Sequence, residues 1–320
     1  MSVPDVLVRR YGTDAVSTHA TSALFWGDTS AGVAYADTGS AWIGIGAPLA
    51  PADRRRAIAE RFIAAARLAG RRACFFGVED ARFATSLKRL ELGLQSMYAP
   101  ADWHRAVSKH RSLREQLRRA RAKGVTVRRV SHHELASPGA PLRVAAEALV
   151  AEWLRTRRME PLGFVVDITP FRNVDAHIYL AAEVHGQLVA FVSVAPIEAR
   201  RGWLIEDMVR AHSAPNGSTE ALLAGVFEAV ADADMVTLGL APLAGAAFWQ
   251  RFARWLGRPL YNFEGLHRFK SRLHPPVWIP VFLVCPRHTP SAIAVVDCLR
   301  AFANGSLARF VANTLMRRPN

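Results

Sequence analysis

The residues best suited to chemistry lie in the second half of the chain. Glu206, Asp207 and Arg210 sit in an otherwise apolar strand-like run, where a carboxylate is costly to bury unless it is paired or put to use. Asp207 can hold an ammonium group or take a proton from a hydroxyl; the plainer alternative is an ion pair with Arg210. Residues three apart on a strand face opposite ways, so Asp207 and Arg210 share a site only if the strand ends or bulges between them. On a regular strand Glu206 likewise faces away from Asp207. The run continues through Ala214-Pro215-Asn216-Gly217-Ser218-Thr219 into a helical pattern. A tight turn at a helix N-terminus presents free N–H groups and the positive end of the helix dipole. Asn216, Gly217 and Ser218 could therefore cradle a phosphate or a developing oxyanion, or serve only as turn and N-cap.

Two further clusters carry charge. Glu264, Arg268 and Lys270 fall within a turn or two of helix, a set suited to a phosphodiester and an ammonium group, or to a solvated face with an i,i+4 pair. Arg111, Arg114, Arg118 and Arg121 recur at spacings of three and four, just after Lys109 and opposite Leu113 and Leu117. Such an arginine stripe suits RNA or anionic headgroups. The net charge of +14 fits the same polyanionic partners. Arginine supplies nearly all of the base, since only four of the 41 basic residues are lysine. The histidines are dispersed and lack acidic or cysteine partners at ligand spacing, so no metal is expected. Cys74, Cys285 and Cys298 are odd in number and far apart, which suits free thiols in a reducing compartment.

The elements that must position these groups follow from periodicity. Strand-like runs at 32–36, 42–46 and 73–78 flank a helix over 52–68 that starts after Pro51 and stops at Gly70, and a second helix is expected over 80–92. The later half repeats this order: helix 142–156, strands 178–184 and 188–196 around a His185-Gly186 hairpin turn, strand 203–210, helix 219–231, strand 235–240, helix 246–256. The expected class is α/β with mixed sheets and a structural duplication. A linker near 132–141 divides residues 1–130 from 131–290. Residues 291–320 form a basic amphipathic tail broken near Asn304-Gly305, able to lie on an anionic membrane or to pack on the domain. The longest apolar run, 277–285, is far short of the roughly 20 residues that cross a bilayer, and export is not expected, since residues 1–5 are followed by a mixed run and not by a basic-then-apolar one.

Strung in order, the strand and Pro-Asn-Gly turn, Leu238-Gly239-Leu240-Ala241-Pro242-Leu243, Tyr261-Asn262-Phe263-Glu264-Gly265-Leu266, Arg268-Phe269-Lys270 and His274-Pro275-Pro276-Val277-Trp278 resemble the synthase domain of aminoacyl-phosphatidylglycerol synthases, the multiple peptide resistance factor family. The resemblance implies two tandem GNAT-type acyltransferase modules and transfer of an amino acid, lysine or alanine, from aminoacyl-tRNA to phosphatidylglycerol or a related lipid. It implies Asp207, Arg210 and Glu264 in catalysis, and Glu206, Asn216, Gly217, Ser218, Arg268 and Lys270 in substrate binding. Lys109 and the arginine stripe would meet tRNA or headgroups. The chain keeps the family's Asp-x-x-Arg but has His267 and Val281 where the family has arginine.

Ester exchanges for ester in that reaction, so no cofactor is expected beyond the aminoacyl-tRNA co-substrate. The expected place is cytoplasmic, peripheral on the inner face of the cell membrane, with lipid flipping left to a separate flippase. Two alternatives stand beside it. An acyl-CoA-dependent GNAT enzyme would want a richer glycine loop than residues 212–217 supply. A non-catalytic RNA- or membrane-binding protein would not need Asp207.

Overall fold

The computed structural model describes residues 2–155, 163–164, 171, 174–245 and 263–303. Eleven strands form one mixed sheet in the order β1-β2-β3-β4-β11-β5-β10-β9-β8-β7-β6. In the first half, β1 (Leu24–Gly27), β2 (Gly32–Asp37) and β3 (Ala41–Ile45) are antiparallel neighbours; helix α2 (Arg55–Leu68) then crosses to β4 (Arg72–Val78), parallel to β3. In the second half, β7 (Ile178–Val184), β8 (Gln187–Ile197) and β9 (Gly202–Arg210) are antiparallel, and α7 (Ser218–Ala229) crosses to β10 (Met235–Pro242), parallel to β9. The two halves therefore repeat one plan of antiparallel strands, crossover helix and parallel strand, as the periodicity suggested.

Alternation along each strand assigns the two faces of the sheet. In β4, Ala73 and Phe75 join the core under α2, while Cys74 and Phe76 join the core beneath α9 (Ser291–Phe302). In the second half Leu180, Val192 and Val194 pack under α7, and Tyr179, Ala181 and Phe191 pack under α6 (Pro141–Arg155). Phe62 of α2 is fully buried among Trp26, Tyr35, Trp42 and Phe75, burial that contributes about 1.5–3 kcal/mol.

The helix expected over 80–92 is instead a short 3-10 turn, Ala81–Ala84, followed by β5 (Lys88–Tyr98). Phe83, Leu87 and Leu90 mimic helical spacing, but Leu90, Leu92 and Leu94 alternate as strand residues do, and the partners on either side decide the outcome. β5 lies between β11 (Val277–Cys285) and β10, so β5 of the first half and β11 of the second are exchanged between the halves. β6 (Val125–Val130) in turn pairs with β7 at the far edge. The sheet thus crosses the expected 130/131 boundary in both directions. The remaining helices are α1 (Asp5–Tyr11), α3 (Pro100–Lys109), α4 (Arg111–Ala122), α5 (His133–Ala136) and α8 (Phe263–Ser271). No helix among the described residues is long and apolar enough to cross a membrane.

Candidate active site

β9 and β10 begin as parallel neighbours and then part. Met235, Val236 and Thr237 pair with Gly202, Trp203 and Leu204, after which β10 follows β5 and β9 follows β8. The mouth that opens is bounded by Ile205–Arg210 on one side and Leu238–Pro242 on the other. At the same level β9 bulges: Val192 opposes Met208 and Val194 opposes Ile205, so Glu206 and Asp207 together face the single residue Ser193. The Asp207 N–H donates to the buried Ser193 Oγ at 3.2 Å. A bulge of this kind turns consecutive side chains toward one side, and the Tyr179 phenol, on the α6 face, registers both carboxylates. Burial pushes it up, and the charges of Glu206 and Asp207 push it further.

The bulge unites Glu206 with Asp207, and not Asp207 with Arg210. From Met208 to Arg210 the pairing with β8 is regular, so Val209 enters the α6 core while Met208 packs on the α7 side. Arg210, exposed, alternates with Val209 and so lies on the opposite face from Asp207.

Glu206 has two imidazole partners. His177 Nε2 is 3.0 Å from Oε2, and His19 Nε2 is 3.3 Å from Oε1. His177 immediately precedes β7 and stacks on Tyr179, with ring centroids 6.0 Å apart. His19 comes from the 3-10 helix Ala15–Ser22 of the first half, which packs against β3, β8 and β10. Sequence spacing left His19 without an acidic partner; the fold brings one across 187 residues, a separation no local pattern can signal. The three side chains are 10–16 % exposed, enough to meet a substrate while mostly shielded.

Lys270 departs from its expected role. It is 5 % exposed, and its Nζ donates to the carbonyls of Leu238, Gly239 and Leu240 at 2.7, 2.9 and 2.9 Å. Those carbonyls converge because β10 shifts register between Thr237 and Leu240 and Gly239 adopts φ 72°. Burial pushes the ammonium down to about 7, yet each of its three protons has a carbonyl to meet. Lys270 therefore braces one wall of the mouth, and its three donors are committed to that wall. Glu264 and Arg268, on the same helix α8, are exposed, while Phe269 packs on the α7-side core as expected.

The expected phosphate cradle is covered on its Gly217 side. Gly217 caps α7 at φ 94°, and a Cβ there would lie 2.0 Å from the Gln116 carbonyl oxygen and 3.2 Å from Ala120 Cβ, both on α4. Gly217 and Ser218 are buried, and Ser218 Oγ donates to Pro215 O at 2.7 Å; Asn216 alone of the three is exposed. The turn is thus a close helix–helix contact on the Gly217 side, where α4 packs against the α7 N-terminus.

Helix α4 shows how the arginine stripe divides. Leu113 and Ala120 are buried inward. Arg118 and Arg119 both hold Glu115, whose carboxyl their hydrogen bonds bring down to about 2. Arg114 donates to the Val107 and Ser108 carbonyls and so closes the end of α3. Lys109, Arg111 and Arg121 are exposed. The helix expected over 246–256 and the tail beyond 303 lie outside the described residues.

The chain is similar to known proteins in sequence and in fold. The family model described as phosphatidylglycerol lysyltransferase, C-terminal, matches residues 12–285. A phosphatidylglycerol lysyltransferase of Bacillus subtilis (strain 168) is 31% identical over 138 residues, a match covering 39% of this chain and 16% of that protein. Among solved structures, a C-terminal domain assigned to a lysylphosphatidylglycerol synthetase from Agrobacterium fabrum superposes with TM-score 0.77 at 20% identity, over 94% of this chain and 96% of that one. The L-PGS from Bacillus licheniformis gives 0.74 at 18% identity, over 93% and 95%. These two share the fold.

Proposed function

The chain belongs to the family of phosphatidylglycerol lysyltransferase C-terminal domains, and we propose that it is a group-transfer enzyme that moves an amino acid, of lysyl or alanyl type, from aminoacyl-tRNA to a hydroxyl of phosphatidylglycerol. The observation that carries this reading is the bulge that sets Glu206 and Asp207 on one face at the mouth between β9 and β10. Two carboxylates there suit an acceptor and donor pair in which the moving group carries an ammonium and the attacking group must shed a proton. Asp207 would hold the α-ammonium. The lipid hydroxyl oxygen would bond to the ester carbonyl carbon while its proton passes to the Glu206–imidazole group. The bond to the tRNA 3′ oxygen then breaks, and that oxygen takes the proton. One ester replaces another, so atoms and charge balance without a further reactant.

Packing of α4 on Gly217 narrows the approach to the α7 N-terminus, the seat an acyl-CoA diphosphate would use. Work at the inner face of a membrane, with a separate flippase moving the product, fits the reading. The deciding experiment labels cells with mixed radioactive amino acids and separates their lipids, for wild type and Asp207→Ala. A labelled, ninhydrin-positive phospholipid made only by the wild type supports the proposal and identifies the amino acid. Its absence in cells holding folded protein refutes it.

A further inference from the structure

Helix α9 carries its charge inside and its apolar side chains outside. Its one carboxylate, Asp297, is 1% exposed and accepts from Arg72 Nε and Nη2 at 2.6 and 2.7 Å and from Ser40 Oγ at 3.1 Å, with Arg300 Nη1 at 3.7 Å. Ala294, Cys298 and Ala301 fill the core against β3 and β4. The outward face holds Ala292, Ile293, Val296 and Leu299, and no polar residue of the helix is fully exposed. Ile293, Val296 and Leu299 are 40, 39 and 47% exposed. Their spacing makes one stripe.

Cations border this stripe. Arg72 and Arg300, both at Asp297, have side chains 42 and 39% exposed, and Arg287, whose Nε and Nη2 donate to the Ser86 and Thr85 carbonyls, stands exposed with His288 ahead of the first turn of α9. Ordinary surface helices put polar groups outward, so an aliphatic stripe rimmed by guanidinium groups calls for a partner that is apolar at its centre and anionic at its border. The headgroup boundary of an anionic bilayer has that profile: acyl chains for the aliphatic groups and phosphates for the arginines. A second copy of the chain is a poorer match, because a two-fold contact would set arginine rim against arginine rim between molecules of net charge +14.

We infer that the outer face of α9 is the surface by which this protein sits on anionic phospholipid, with Ile293, Val296 and Leu299 entering the interface and Arg72, Arg287 and Arg300 meeting phosphates. The inference rests on the lipid acceptor proposed above, and adds the face that approaches it.

The test is flotation of the full chain with vesicles of equimolar phosphatidylglycerol and phosphatidylcholine, and with phosphatidylcholine alone. Wild type is expected to bind the anionic vesicles, with binding weakened about tenfold or more by either Val296→Glu or Leu299→Glu. Both positions already meet water, so the variants should keep the wild-type circular dichroism. Transfer to detergent-dispersed phosphatidylglycerol should persist in them. Unchanged vesicle binding by both variants overturns the inference. If the α9 variants lose binding while wild type makes no aminoacyl lipid, the docking face stands and the proposed reaction falls. Val296→Cys carrying a polarity-sensitive fluorophore supplies a second reading. Water-like emission that shifts to the blue only with anionic vesicles supports the assignment. Blue emission without vesicles overturns it: at all protein concentrations the chain itself covers the face, and only at high concentration a second copy does.

Discussion

Lys270 places a cation where water hardly reaches and spends its three protons on three successive carbonyls of β10. Replacing it by methionine keeps the stem and removes the donors, leaving buried carbonyls unpaired at roughly 1–3 kcal/mol each before relaxation. Lys270→Met should therefore lower the urea midpoint by the equivalent of about 3 kcal/mol and reduce turnover with it. A variant as stable as wild type would show that the carbonyls find water instead. A second residue-scale prediction concerns the stacked imidazoles of His110 and His274, whose ring centroids are 3.4 Å apart. Burial, then the neighbouring His110, holds His274 below the usual histidine value. The fold thus binds this proton less readily than the unfolded chain, so the contribution is complete above pH about 6.5 and is lost as pH falls below it. In thermal scans from pH 7 to 5 the His274 contribution falls while that of Asp14, whose carboxyl takes up a proton in the fold below about pH 6, rises, so the test is the difference between variants: His110→Gln should lose less stability, or gain more, than wild type over this range, and equal slopes would discount the pair.

At the scale of elements, the arginines of α4 divide between structure and solvent. Arg114 closes α3 and the Glu115 pairs stiffen the exposed side, while Arg111 and Arg121 stand exposed, the pair that the proposed tRNA donor would meet. The double variant Arg111→Ala/Arg121→Ala should weaken RNA binding and reduce the slope of log affinity against log salt by about 1 to 2, with no change in melting temperature. Arg114→Ala should instead lower the melting temperature. A salt slope identical to wild type would remove the stripe from RNA recognition. The stripe was legible in the sequence because helical spacing is local. Its division into structural and available arginines was not, since that depends on the α3 carbonyls and on α7 packed beneath.

At the scale of the molecule, exchange of β5 and β11 makes the halves interdependent. A buried junction reinforces it. Asp14 accepts from the Ala47 and Glu79 N–H groups at 2.6 and 2.8 Å, and burial followed by the Glu79 charge pushes its carboxyl up to about 6. Glu79 in turn accepts from Ala15 N–H, Gln95 Nε2 and Arg200 Nη1, tying the two halves together. The whole chain should unfold in one cooperative transition, and a fragment of residues 1–130 should lack native circular dichroism because β4 and β5 lose β11, and β5 also loses β10. A folded fragment, or two separated transitions, would contradict this.

By itself the sequence determined the α/β class, most strands and helices, the repeated plan and the clusters worth testing, because alternation and helical period are written in neighbouring residues and apolar faces must be buried. The residues that resemble the synthase family also lay in the right order along the chain. Only the tertiary structure decided that 88–98 is a strand, that Glu206 joins Asp207 through a bulge and takes partners at His19 and His177, that Arg210 lies on the other face, and that Gly217 meets α4 instead of open solvent. Each of these turns on backbone register or on contacts between residues tens to hundreds of positions apart. A one-residue shift in pairing reverses which face a side chain reaches, and no local pattern encodes it.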